Sequence, residues 1–67
     1  MENKKEVTVT KHRWLDMSES YFIEMNGKRV GGEITSEESA RDGAKSLAED
    51  VDGIFIDELR ETNELWS

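Results

Sequence analysis

Histidine, cysteine and paired carboxylates carry much of protein chemistry, and this chain offers one histidine, His12, and no cysteine. Histidine or thiolate metal quartets within one chain are therefore excluded. His12 could serve as a base for Ser18 or Ser20, but no nucleophile-elbow motif surrounds either serine, so an ordinary strand residue is the expectation. In the run Glu49-Asp50-Val51-Asp52-Gly53, the residues Asp50, Asp52 and Gly53 match inner positions of an EF-hand loop. Ala48 and Leu59 then stand where the opening carboxylate and the closing bidentate glutamate belong, so a helix end followed by a turn accounts for the run better. The sixteen acids would give carboxylate pairs at almost any spacing, so none is singled out for glycoside chemistry. Gly31-Gly32 lacks the spacing and following lysine of a phosphate loop and reads as a bulge or bend at the strand end. The expectation is no catalytic residue, no metal and no cofactor.

Two surface sets survive. One is an acidic strip: Glu37, Glu38, Asp42, Glu49, Asp50, Asp52, Asp57 and Glu58, with Glu61 and Glu64 beyond. Such a strip faces solvent, meets a basic partner, or imitates a phosphate backbone. The other set is aromatic and basic: Lys11, His12, Arg13, Trp14, Phe22, Lys28 and Arg29. Sheet-borne aromatics beside cations stack single-stranded bases in several modules. No ribonucleoprotein motif accompanies them here, which points to a protein contact or a dimer seam instead.

The charge distribution agrees. Residues 1–32 hold six Lys/Arg against five Asp/Glu (+1), and residues 33–67 hold three against eleven (−8), summing to −7. The acidic half repels phosphate backbones and anionic lipid, which disfavours direct nucleic-acid or membrane binding. The N-terminal Lys4-Lys5 precedes no apolar run, so neither a signal peptide nor a membrane span is drawn. Lack of cysteine suits a reducing compartment, and a cytoplasmic location is expected.

These side chains need elements to position them, and 67 residues allow one core without disulfide or metal staples. A single domain over 1–67 is expected, with 1–5 and 60–67 loose. Val7-Thr8-Val9-Thr10 is β-branched throughout and reads as a strand, and Trp14 to Ser20 reads as a polar connection. Asn26-Gly27 predicts a type I′ hairpin that sets Met25 against Lys28, Glu24 against Arg29 as an ion pair, and Ile23 against Val30. Thr35 is the expected N-cap, with Glu38 in capping-box spacing, of a helix reaching about Val51. Its apolar stripe is Ala40, Ala44, Leu47, Ala48 and Val51, and Gly43 lets it lie close to a sheet. Ile54-Phe55-Ile56 reads as a short fourth strand. Asp57 to Ser67 is left open between a short C-terminal helix and a docked tail.

The expected fold class is α+β: a two-layer domain with a three- to four-stranded, largely antiparallel sheet packed on one helix. If Val7, Val9, Ile23, Met25, Val30 and Ile34 face the helix, then Thr8, His12, Trp14, Phe22, Arg29 and Phe55 face outward.

Brevity, lack of cysteine, the Tyr21 to Val30 hairpin, the Thr35-Ser36-Glu37-Glu38 helix start and the late acids together resemble the small acidic proteins by which phages and other mobile elements bind a host or phage protein. Phage inhibitors of host RNA polymerase, which set a small sheet against one helix, are similar in outline. The resemblance implies a protein that binds another protein; no motif of it transfers residue by residue. The outward face itself supplies the contacts of the expected non-enzymatic protein-binding module, with Trp14, Phe22 and Phe55 as outer-face contacts and Arg13 and Arg29 at the rim. The alternatives are an acidic DNA mimic that occupies a nucleic-acid-binding protein, and a homodimeric structural protein.

Overall fold

The computed structural model describes residues 4–64. Its elements are β1 (Glu6–Arg13), β2 (Glu19–Met25), β3 (Lys28–Ile34), α1 (Glu37–Asp50) and β4 (Ile54–Asn63). The four strands form one sheet in the order β3-β2-β1-β4. The fold is α+β, with the helix packed on the sheet.

The hairpin takes the register that the sequence predicts: Met25 opposite Lys28, Glu24 opposite Arg29, and Ile23 opposite Val30. Asn26 and Gly27 both adopt the left-handed backbone at its corner (φ 53° and 86°), which matches the twist of the strands they join. Asn26 also pins the start of β1. Its amide donates to Glu6 O (2.8 Å), and its Oδ1 accepts from Glu6 N (2.9 Å). Farther along β3, Gly31 (φ 82°) makes the predicted bulge, and the register slips between Ile23–Val30 and Tyr21–Ile34.

Strand β4 departs most from expectation. It runs ten residues rather than three and lies parallel to β1, so the sheet is mixed. The direction follows from the route: β3 and β1 point the same way, and the helix carries the chain across the sheet to re-enter in that direction. Asp57 to Asn63 is therefore mostly strand rather than helix, and residues 60–63 continue β4 instead of fraying. Leu59 decides it, because its place opposite Val9 buries it against the core. The tail expectation for Leu65 and Trp66 lies outside the described residues.

Helix α1 is capped one residue later than predicted. Ser36 rather than Thr35 is the N-cap, and its hydroxyl accepts from Ser39 N; Glu37 and Glu38 sit in the positive first turn. At the other end Asp52 takes the left-handed conformation (φ 54°), with Asp52 N donating to Glu49 O and Gly53 N to Ala48 O. Gly53 is needed for room, since a Cβ there would lie 2.5 Å from the carbonyl oxygen of Lys5.

The helix-side core is Val7 and Val9 under Ala40, Ala44 and Ala48, flanked by Tyr21, Ile23, Met25, Ile34, Leu47, Phe55 and Leu59. Alanines and Gly43 bring the helix axis close to the sheet, as predicted: a Cβ on Gly43 would stand 3.0 Å from Ile23 Cδ1.

Candidate functional site

Strand alternation decides which face each candidate occupies. Trp14, Phe22 and Arg29 belong to the outer face, as expected. Phe55 does not: it stands opposite Val7 and packs against the helix-side core. Arg13 also falls on the helix-side register, opposite Glu19 and in line with Val7 and Val9. The five residues expected to make one surface are thus divided between two faces.

The outer face is less open than a bare sheet. Thr8, Thr10, Ser20 and Phe22 are all buried there, and Phe22 keeps only 6% of its surface exposed. The guanidinium of Arg29 lies over the Phe22 ring, 3.8 Å from its centre, in place of the expected ion pair with Glu24. Phe22 is consequently a covered ring rather than an exposed anchor. Thr10 Oγ1 is buried and has no hydrogen-bond partner among the described residues.

Toward the β1–β2 end of this face the side chains become tightly connected. Trp14 Nε1 donates to Ser20 Oγ (2.8 Å), and Ser20 in turn donates to Glu33. His12 meets the Trp14 ring edge-on at 4.5 Å, and its Nδ1 is hydrogen-bonded to Thr62 Oγ1 at 2.6 Å. Its Nε2 lies 3.8 Å from Glu64. Ring and indole are held from both sides.

Beyond Trp14 the chain turns sharply. Trp14 N donates to Ser18 O (2.9 Å), Met17 N to Trp14 O (3.0 Å), and Asp16 accepts from both the amide and the hydroxyl of Ser18. Those bonds, the hydroxyl's first, hold the Asp16 carboxyl below its ordinary pKa. Met17 has φ 73°, a strained conformation for a residue with a side chain. The turn thrusts two large apolar groups into solvent, with Leu15 64% and Met17 61% exposed. Reading Trp14 to Ser20 as a polar connection passes over both, although two bulky apolar residues inside a polar turn are themselves the signal.

On the helix-side register at this end, Glu19 binds Arg13 (2.7 Å) and Lys11 (3.3 Å). Arg13 first and Lys11 second depress the Glu19 pKa, while Glu19 raises theirs. Lys11, Arg13, Glu61, Thr62 and Asn63 line a surface hollow of about 240 Å³.

The acidic strip follows the exposed side of α1 and crosses to β4, but cations divide it. Arg41 bonds Asp57 and lies 3.8 Å from Glu37. Lys45 stands 5.9 Å from the centre of the Phe55 ring. Among the described residues no group of acids or histidine is arranged to hold a metal ion, and no helix is long and apolar enough to cross a membrane. Comparison of the chain with protein-family models, curated proteins and solved structures returned no match.

Proposed function

We propose that this chain is a non-enzymatic protein-binding module whose contact surface is the β1–β2 turn rather than the open sheet. The observation that carries the reading is the exposure of Leu15 and Met17 on a turn fixed by backbone bonds, the Asp16 cap and the Trp14–Ser20 link. A rigid tip loses little conformational freedom on docking, so its apolar area turns efficiently into affinity. The charges around it indicate the partner. Asp16, Glu19, Glu33, Glu61 and Glu64 outnumber Lys11 and Arg13 at this end of the sheet, which fits an apolar pocket bordered by basic side chains. Imitation of nucleic acid would need an unbroken row of carboxylates, and Arg41 and Lys45 interrupt the row on α1.

The test uses Leu15→Asp/Met17→Asp beside the unaltered protein. Partners captured by the unaltered chain from extracts of its own host are identified, purified and titrated against both forms. Loss of about tenfold or more in affinity, with an unchanged melting temperature, supports the turn as the contact. Equal affinity for the two forms sinks it.

A further inference from the structure

Sulfur is the readily oxidised element of protein side chains, and this chain carries it in methionine alone, with three methionines and no cysteine. Met25 is half-buried against the helix-side core. Met17 stands 61% exposed in the β1–β2 turn, so of these two thioethers it is the one that an oxidant in solution meets freely. Met1 lies outside the described residues.

The backbone at Met17 makes the residue type informative. At φ 73° a glycine would sit without strain and an asparagine with little, yet a methionine is present. The bonds that hold the turn ask nothing of its side chain: Met17 N donates to Trp14 O, Trp14 N to Ser18 O, and Asp16 accepts from Ser18. Strain retained without benefit to packing is a mark of functional positions.

Oxidation would change the character of this tip and leave its frame alone. Hydrogen peroxide transfers one oxygen to Sδ: an S–O bond forms, the O–O bond breaks, the sulfur gives up two electrons and water leaves. The sulfoxide is polar where the thioether was apolar, so a contact that buries Met17 must then bury a strong acceptor. A sulfoxide reductase reverses the step with a dithiol, the oxygen leaving as water and the dithiol becoming a disulfide.

We propose that Met17 is a reversible oxidation site through which peroxide weakens the contact made by the β1–β2 turn. The regulatory role rests on that turn being the contact surface, whereas the site itself rests on exposure and backbone alone.

The full chain is treated with hydrogen peroxide and its peptides are followed by mass spectrometry. Met17 should oxidise several-fold faster than Met25, and denaturant should abolish the difference. Retention on phenyl-agarose then probes the apolar tip: the oxidised chain and Met17→Gln, an uncharged polar stand-in for the sulfoxide, should elute earlier than the reduced chain. Against the purified protein partner of the turn, both should bind about tenfold or more weakly at unchanged melting temperature, and the reductase should restore the oxidised chain. Met17→Leu keeps the apolar bulk without the sulfur, so it should bind like the parent before and after peroxide. Equal oxidation of Met17 and Met25 in the folded chain overturns the proposal, as does a loss of binding that Met17→Leu shares. So does an oxidised chain that binds as tightly as the reduced one while Leu15→Asp/Met17→Asp binds weakly. Undiminished binding by that double variant instead removes the turn as the contact, and the regulatory role of Met17 falls with it.

Discussion

The two faces of this sheet are both buried near their centre, but by different means. On the helix side Val7 and Val9 lie under a stripe of alanines, and close approach of backbone to backbone excludes water. On the outer side the Arg29 guanidinium lies over Phe22, and Thr8, Thr10 and Ser20 are buried with no helix among the described residues above them. A small domain can thus shield an outer ring with a long side chain laid across it, which combines an apolar stem with a charged head. What remains exposed and apolar lies at the ends of the sheet, Leu15 and Met17 at the β1–β2 turn and Ile54 at the opposite end, beside Glu6.

The contrast is broken most directly at Phe22. Phe22→Ala should cost about 3 kcal/mol in chemical denaturation if the outer face is true core. A loss below about 1 kcal/mol would mean that the arginine covers the ring only loosely. On the opposite face, Gly43→Val pushes a branched side chain into Ile23 and should cost about 2 kcal/mol. Were that variant as stable as the parent, the close helix approach would not be a feature of the folded state.

Thr10 sharpens the comparison in the other direction. Replacing its unpartnered buried hydroxyl by a methyl, Thr10→Val, should raise stability by about 1 kcal/mol, because a buried polar group without a bond is costly. A destabilised variant would reveal a partner for that oxygen. The smallest effect belongs to Glu19, on the partly exposed end of the helix-side register. Its folded pKa is depressed, so its contribution is complete above the ordinary carboxylate value of about 4.3 and disappears as pH falls through the lower folded value. Melting curves should show a gap between the parent and Glu19→Gln that is constant near neutrality and closes in acid. A gap that widens in acid would contradict the depressed pKa.

Legibility followed the range of the interactions. The Asn26-Gly27 corner fixes its register within a few residues, so the whole hairpin could be read from sequence, as could the Ala40, Ala44 and Ala48 stripe. The N-cap moved from Thr35 to Ser36 because two adjacent hydroxyls serve equally, and the end of β3 at Ile34 chooses between them. Strand β4 was hidden. Past Ile56 its apolar residues thin to Leu59 amid acids, and only pairing with distant β1 makes Asp57 to Asn63 extended. The same bulged, parallel pairing turned Phe55 inward. The candidate site was half legible: Trp14 was singled out on its indole, whereas Leu15 and Met17 depend on a turn geometry that no strand or helix period announces.

The parallel partnership of the first strand with the last also sets the order of assembly. His12 and Thr62, which touch in the finished molecule, are separated by 50 positions in the chain. β1 is made before the other strands of this sheet yet keeps one flank unsatisfied until β4 arrives. Closing so long a loop delays cooperative folding and leaves nascent chains open to illegitimate strand pairing. A ribosome stalled after α1 would therefore hold a sheet with β1 as a naked margin, which only the arrival of β4 covers.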